Sequence, residues 1–203
     1  MVPTANHTET LVLEEANDVI ALIHDIFKRL GAESYLGEDV TMAEHMLQGA
    51  ALAVEAGLDD EIVIGALLHD IGHYVEEFPD ADMLKEDRRH QETGATVLER
   101  WFPTRTVACV RQHVAAKRYL CAVEREYFEG LSDASVHTLG LQGGPMEPAE
   151  CEAFEQTVPF LEDVLAVRRF DDAGKVAGRL VPPFEHYLPM LRALVRDHSP
   201  NAR

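Results

Sequence analysis

Apolar positions along this chain recur at helical spacing. In ANDVIALIHDIFKRL, residues 16–30, Val19, Ile20, Leu22, Ile23, Ile26, Phe27 and Leu30 line one stripe with a period of about 3.6 residues. That pattern predicts a helix with Gly31 as its C′ residue. A second helix opens at TMAE, where Thr41 and Glu44 can form a capping box, and it ends at Gly57. A third follows the acidic pair Asp59 and Asp60 and is predicted to run on through His69 and Asp70. Further helices are predicted over 86–101, 104–120, 148–156, 159–170 and 183–197. Pro103, Pro148 and the pair Pro182 and Pro183 stand at or just before several of these starts. Ser132 and Asp133 read as the cap of one more helix. β-Branched residues do not alternate with polar ones over any stretch long enough for a strand. QGGPMEP, 142–148, is the clearest loop. The expectation is an all-α fold: one domain over residues 1–203, with 1–8 as a frayed tail.

Composition narrows the class of partner. An apolar content of 46% in 203 residues supports one sizeable core. The net charge of −18 argues against nucleic acid, because phosphate backbones need a basic stripe. No basic cluster exceeds a pair such as Lys117 with Arg118 or Arg168 with Arg169, and these two are enough to serve a small anion. The start, MVPTANHTET, carries no export signature, and the run IVIGALL is too short to span a bilayer. Cys109, Cys121 and Cys151 form no pairing framework and read as reduced thiols in a cytoplasmic protein.

The histidines carry the chemistry. Ten occur, and several fall on different predicted helices: His45 in the second, His69 and His73 in the third, then His90 and His113. His69 and His73 are four apart, which on a continuous helix stacks them on one side. One core histidine is ordinarily satisfied by a backbone carbonyl. Several aimed into a single interior need a shared partner to offset desolvation, and a metal centre is the simplest one. Asp70 could bridge two ions, and Asp171 or Asp172 could close the set. Nitrogen and oxygen donors without thiolate suit iron, manganese or zinc.

The string GALLHDIGH, together with an upstream histidine and a distant aspartate, resembles the HD-domain superfamily, which is helical and holds one or two metal ions. The strings SYLGED, EHMLQ, LLHDIGHY, HVAAKRYL, LSDAS, LQGGPM and RRFDDAGK are similar, in this order, to one branch of it. That branch comprises the oxygenases that cleave the carbon–phosphorus bond of 1-hydroxyphosphonates, relatives of myo-inositol oxygenase. The resemblance implies two iron ions in a mixed-valent Fe(II)/Fe(III) pair, with O2 as co-substrate. It implies His45, His69, Asp70, His90, His113 and Asp171 as ligands, the aromatic–Asp–x–x–Gly–Lys pattern favouring Asp171 over Asp172. It implies His73, Lys117, Ser135 and Arg168 for the phosphonate, with Tyr35, Glu38 and His73 at the catalytic centre. Tyr35 and Glu38 match a segment that covers the iron site in the family.

The implied substrate is a 1-hydroxy-2-(amino or trimethylammonio)ethylphosphonate, yielding phosphate with glycine or glycine betaine. A primary ammonium would seek acceptors such as Glu38, and a quaternary one the faces of Tyr35, Tyr74 and Tyr119. The main alternative is an HD-type phosphohydrolase using a metal-bound hydroxide, and the next a non-catalytic sensor built on the same ions.

Overall fold

A computed structural model of the chain describes residues 16–35, 37–78 and 89–198. The helices within them are α1 (Ala16–Arg29), α2 (Met42–Glu55), α3 (Asp60–Leu68), α4 (His90–Leu98) and α5 (Thr104–Val123). They continue with α6 (Arg125–Glu129), α7 (Asp133–Leu141), α8 (Pro148–Thr157), α9 (Leu161–Ala173) and α10 (Leu188–His198). Two 3₁₀ segments, Ile71–Glu77 and Phe184–Tyr187, join them. Extended pairing among the described residues is confined to one bridge between Ser34 and Thr41. The fold is all-α, as expected. The predicted tail, 1–8, and the first residues of the helix predicted from 86 lie outside the described residues.

α3 is the axis of the molecule. Every residue from Ile62 to Leu68 is buried, against α2, α5, α9 and α10. A helix that is apolar all round belongs in a core. Gly65 lets α5 come close: a Cβ there would lie 2.9 Å from the Cβ of Cys109. The capping box of Thr41 and Glu44 forms at the start of α2 as predicted. Gly57 ends that helix region in the left-handed conformation, φ 72°. Gly31 behaves differently from its expected left-handed cap. It is small because α1 and α2 meet there; a Cβ would sit 2.6 Å from the Cβ of Ala43.

Three expectations about helix ends are corrected. α3 stops at Leu68 rather than running through Asp70. Asp70 adopts φ −103°, ψ 10°, the sparsely populated bridge region where active-site residues often sit. The chain then tightens into the 3₁₀ segment, so His69 and His73 do not share an α-helical face. Secondly, α9 reaches Ala173, so Asp171 and Asp172 lie inside its last turn rather than beyond it. Ion pairs to Arg168, three and four residues earlier, support that extra turn. Thirdly, the helix predicted from 183 begins as a 3₁₀ turn and becomes α-helical only at Leu188. α6 gave no sequence signal, being five residues long with none buried.

Candidate active site

Six side chains from separate parts of the chain meet beside the end of α3. His45 comes from the first turn of α2, and His69 and Asp70 from the bend after α3. His90 starts α4, His113 lies midway along α5, and Asp171 closes α9. They form two trios able to hold a metal ion: His45, His69 and Asp171, then Asp70, His90 and His113. Asp70 faces both. Its Oδ2 is 3.4 Å from His69 Nε2 and 3.6 Å from His45 Nε2. Its Oδ1 is 3.2 Å from His90 Nε2 and 3.4 Å from His113 Nε2. One carboxylate thus offers an oxygen to each trio.

The donor chemistry fits cations. His45 Nδ1 lies 3.0 Å from the carbonyl of Gly174, His69 Nδ1 2.8 Å from that of Ala66, and His113 Nδ1 2.7 Å from that of Val110. A carbonyl only accepts, so each Nδ1 carries a proton and each ring turns its Nε2 to the site, where a metal ion can take that nitrogen's lone pair. His45 Nε2 and His69 Nε2 are only 3.0 Å apart. With an Nδ1 proton on each ring, a contact this short needs a positive centre on the Nε2 side, either a proton or a metal ion. Asp70 Oδ2 and Asp171 Oδ1 are buried with no hydrogen-bond partner. Two uncapped carboxylate oxygens among imidazole Nε2 atoms are what a metal pair would satisfy.

Electrostatics agree. Burial opposes ionisation of Asp70, but His69, His113 and His45 outweigh it and hold the carboxyl well below its ordinary range. Asp171 is likewise held low despite burial, chiefly by Arg168 and His69. Burial pulls His113 down to about 4. For His45 burial acts the same way, yet the neighbouring carboxylates of Asp171 and Asp70 reverse it and carry the ring up to about 9, so a proton on Nε2 marks the place where an ion would sit.

Two glycines make the convergence possible. A Cβ on Gly72 would lie 1.9 Å from the carbonyl oxygen of His90, so only glycine lets α4 deliver His90 against the bend. A Cβ on Gly174 would lie 3.1 Å from the carbonyl oxygen of His45 and 3.2 Å from the amide nitrogen of Gly49. That close approach brings the Gly174 carbonyl onto His45.

Cationic groups gather beside Asp171. From the pairs at 117–118 and 168–169, Lys117 and Arg168 turn inward and are buried, while Arg118 and Arg169 pair outward with Glu150 and Glu124. Arg168 Nη1 is 2.6 Å from Asp171 Oδ2, and the rest of its guanidinium holds Asp172 and the hydroxyl of Tyr127. Asp172 therefore serves Arg168, and Asp171 joins the trio. Lys117 donates to Thr138 Oγ1 at 2.9 Å, and burial followed by Arg168 lowers its pKa to about 8. Ser135, buried on α7, accepts from Lys175 Nζ at 2.8 Å. Sequence reasoning gave no role to Lys175, Thr138 or Tyr127; Lys175 alone lay within a recognised string.

The other predicted residues are split. Tyr35 is buried and stacks on His45, ring centroids 3.9 Å apart. Glu38 accepts a 2.5 Å hydrogen bond from Ser132, which also caps α7, so the SYLGED segment is tied to that helix. Between them Gly37 takes φ 88°. His73 instead lies against the second trio, stacked on His90 at 4.2 Å and 3.9 Å from Asp70 Oδ1. Tyr74 donates to the Leu30 carbonyl, and Tyr119 turns towards α8, bonding Glu155 and stacking on Phe154. Of the three tyrosines considered for a quaternary ammonium, Tyr119 is thereby removed.

A model of the HD domain matches residues 42–132, which include all the trio residues except Asp171. The chain is 53% identical over 182 residues to [1-hydroxy-2-(trimethylamino)ethyl]phosphonate dioxygenase (glycine-betaine-forming) of Leisingera caerulea, covering 89% of this chain and 92% of that protein. The chain belongs to the HD-domain family. Within that family it also resembles hydroxymethylphosphonate dioxygenase of Gimesia maris, 43% identical over 76% of this chain and 78% of the other. An uncharacterized protein of Acanthamoeba polyphaga mimivirus is 30% identical over 97% of this chain and 89% of its own length. No helix among the described residues is long and apolar enough to cross a membrane.

Proposed function

We propose that this HD-domain protein is an iron- and O2-dependent oxygenase that cleaves the carbon–phosphorus bond of 1-hydroxy-2-(trimethylammonio)ethylphosphonate. The products are phosphate and glycine betaine. The aminoethyl analogue, giving glycine, is the related substrate to compare. The observation that carries the reading is the Asp70 carboxylate, with one oxygen towards each trio and buried cations flanking the trio of Asp171. The dioxygenase relatives support the same chemistry.

His45, His69 and Asp171 would hold one iron, His90 and His113 the other, and Asp70 would bridge. The first trio meets two carboxylates and the second only the shared one, so the harder, ferric ion suits the first. When bound, the iron pair supplies Lewis acidity and the redox chemistry with dioxygen. The protein's residues bind and orient. Lys117, Ser135 and Arg168 offer charge-assisted and hydroxyl donors to the three phosphonate oxygens. Tyr35, over His45, excludes water and presents an aromatic face to the ammonium end. Glu38, held by Ser132, gives that end a negative neighbour. His73, beside His90 and Asp70, stands where it can accept or return a proton near the second trio. In balance, C1 loses its hydrogen and its bond to phosphorus and gains oxygen. One O2 supplies the two atoms that the carboxylate and phosphate need beyond those of the substrate.

The test is phosphate release by iron-loaded protein from the hydroxyphosphonate, with and without air. Release is expected only with O2, together with glycine betaine. Phosphate freed from nucleotides under nitrogen would replace this reading with a hydrolase.

A further inference from the structure

We infer that Tyr127 is a positioning residue of the anion site: together with Asp172 it grips one edge of the Arg168 guanidinium and so fixes which nitrogens face the substrate. The inference rests on the phosphonate reading above and extends it to a residue that acts only through Arg168.

A guanidinium is a planar fork, and it serves an anion well only when its plane and edge are set. The hydrogen bonds of Arg168 among the described residues lie on one edge. Nε donates to Asp172 Oδ2 at 2.9 Å and to Tyr127 Oη at 3.0 Å, and Nη2 donates to Asp172 Oδ1. Nη1 makes the 2.6 Å ion pair with Asp171 Oδ2. That contact alone could not set the fork, since one oxygen at one nitrogen leaves the plane free to turn. With the Nε edge closed, the N–H groups left over belong to the two Nη nitrogens.

Tyr127 completes the grip. Its hydroxyl accepts from Arg168 Nε and donates to Asp172 Oδ2, the same oxygen that receives the Nε proton. Three groups thus hold one another in a closed circuit. Asp172 needs such a partner more than Asp171 does, its side chain being 19% exposed against 2%. Besides Arg168 and Tyr127 it meets only Lys175, at 3.4 Å. Burial, with Asp172 beside it, pushes the Tyr127 hydroxyl far above its ordinary pKa despite Arg168, so it keeps the proton that it donates.

The ring and the hydroxyl of Tyr127 have separate tasks. α6 has no buried residue, so core packing does not place it. The ring face of Tyr127 meets the Arg169 guanidinium, Cζ 5.9 Å from the centroid, and Arg169 also pairs with Glu124 at 2.6 Å. Both arginines of the pair at 168–169 therefore touch this tyrosine, one at its face and one at its oxygen. A phenylalanine would keep the face and anchor α6 as well. Only the oxygen reaches the fork, and that is the part assigned to the anion site.

The experiment uses iron-loaded full-length protein and its Tyr127→Phe variant, titrated calorimetrically with inorganic phosphate, in the parent and in an Arg168→Lys background. Tyr127→Phe should weaken phosphate binding about tenfold, near the lower end for loss of a hydrogen bond to a charged group. With hydroxyphosphonate, KM should rise by a similar factor while kcat stays close to the parent value. Iron content and thermal midpoint should stay at the parent level, because the ring remains. In the Arg168→Lys background the same change should alter phosphate affinity by less than about twofold, since a lysine has no fork to orient. Equal losses in both backgrounds, a loss of iron, or unchanged affinity and KM would each overturn the assignment and leave the oxygenase reading to its own test. The expected pattern of phosphate binding in a protein whose parent form turns over no hydroxyphosphonate would keep Tyr127 as the residue that sets Arg168 and remove the oxygenase reading.

Discussion

The two trios differ in how firmly the protein holds them. In the first, His45, His69 and Asp171 are essentially inaccessible, both imidazoles are locked by backbone carbonyls, and Tyr35 covers one ring. In the second, His113 is equally buried, but His90 is 17% exposed and is the first residue of α4, stacked on a solvent-facing His73. The first trio also carries the cation-rich wall, through Asp171 and Arg168. On the proposed reading, the enclosed trio beside the cations would take the anionic end of a substrate, and the more open one a small gas. Asp70 is the single group that belongs to both.

That comparison can be broken at its shared member. Asp70→Ala should empty both trios and reduce activity at least about a hundredfold, since the only carboxylate of the second trio is lost together with the bridge. Metal analysis checks this, and two irons retained per chain would remove the bridge. Next in size is a difference between the glycines. Gly72→Ala forces a Cβ into the His90 carbonyl, so the second ion should be lost selectively, with a destabilisation of about 1–3 kcal/mol. Gly174→Ala meets its neighbours at 3.0–3.2 Å, tight without overlap, so it should weaken the first ion only mildly, by about 1 kcal/mol. Iron content and thermal unfolding of the two variants should rank them in that order.

The smallest effect sharpens the anion wall. Lys117 has its pKa lowered to about 8, so the free protein loses this positive charge as pH rises through that value. kcat/KM for the phosphonate should fall above about pH 8, approaching tenfold per pH unit, and Lys117→Arg should remove this alkaline limb. The sign for stability runs the other way. The unfolded chain binds the proton up to about 10.5 and the folded one only to about 8, so between these values the contribution of Lys117 to stability rises with pH. A kcat/KM profile flat to pH 9 in the parent protein would take Lys117 out of the pocket.

Much of the site was readable in advance because its residues sit inside strong local signals. His45 follows a capping box, His69 and Asp70 follow the apolar run of α3, and His113 lies in the long α5. The trio residues named from the sequence are the ones the fold brings together. Local reasoning failed where the backbone departs from ideal geometry. Spacing placed His73 beside His69, but the break at Asp70 sends it to His90. Tyr119 looked available from its string, yet the packing of α8 claims it. Lys175 and Tyr127 escaped attention because an isolated lysine after a helix and a tyrosine in a five-residue helix resemble ordinary surface residues.

The sequence by itself determined the helices, the apolar axis of α3 and the set of imidazoles and carboxylates, since these follow from periodicity, capping and side-chain chemistry. Only the tertiary structure decided which oxygen of Asp70 faces which trio, that Asp172 orients Arg168 while Asp171 joins the imidazoles, and that two lysines meet α7 on successive turns. Those outcomes depend on where helices cross and on the room left by Gly72 and Gly174, distances set by contacts between residues far apart in the chain.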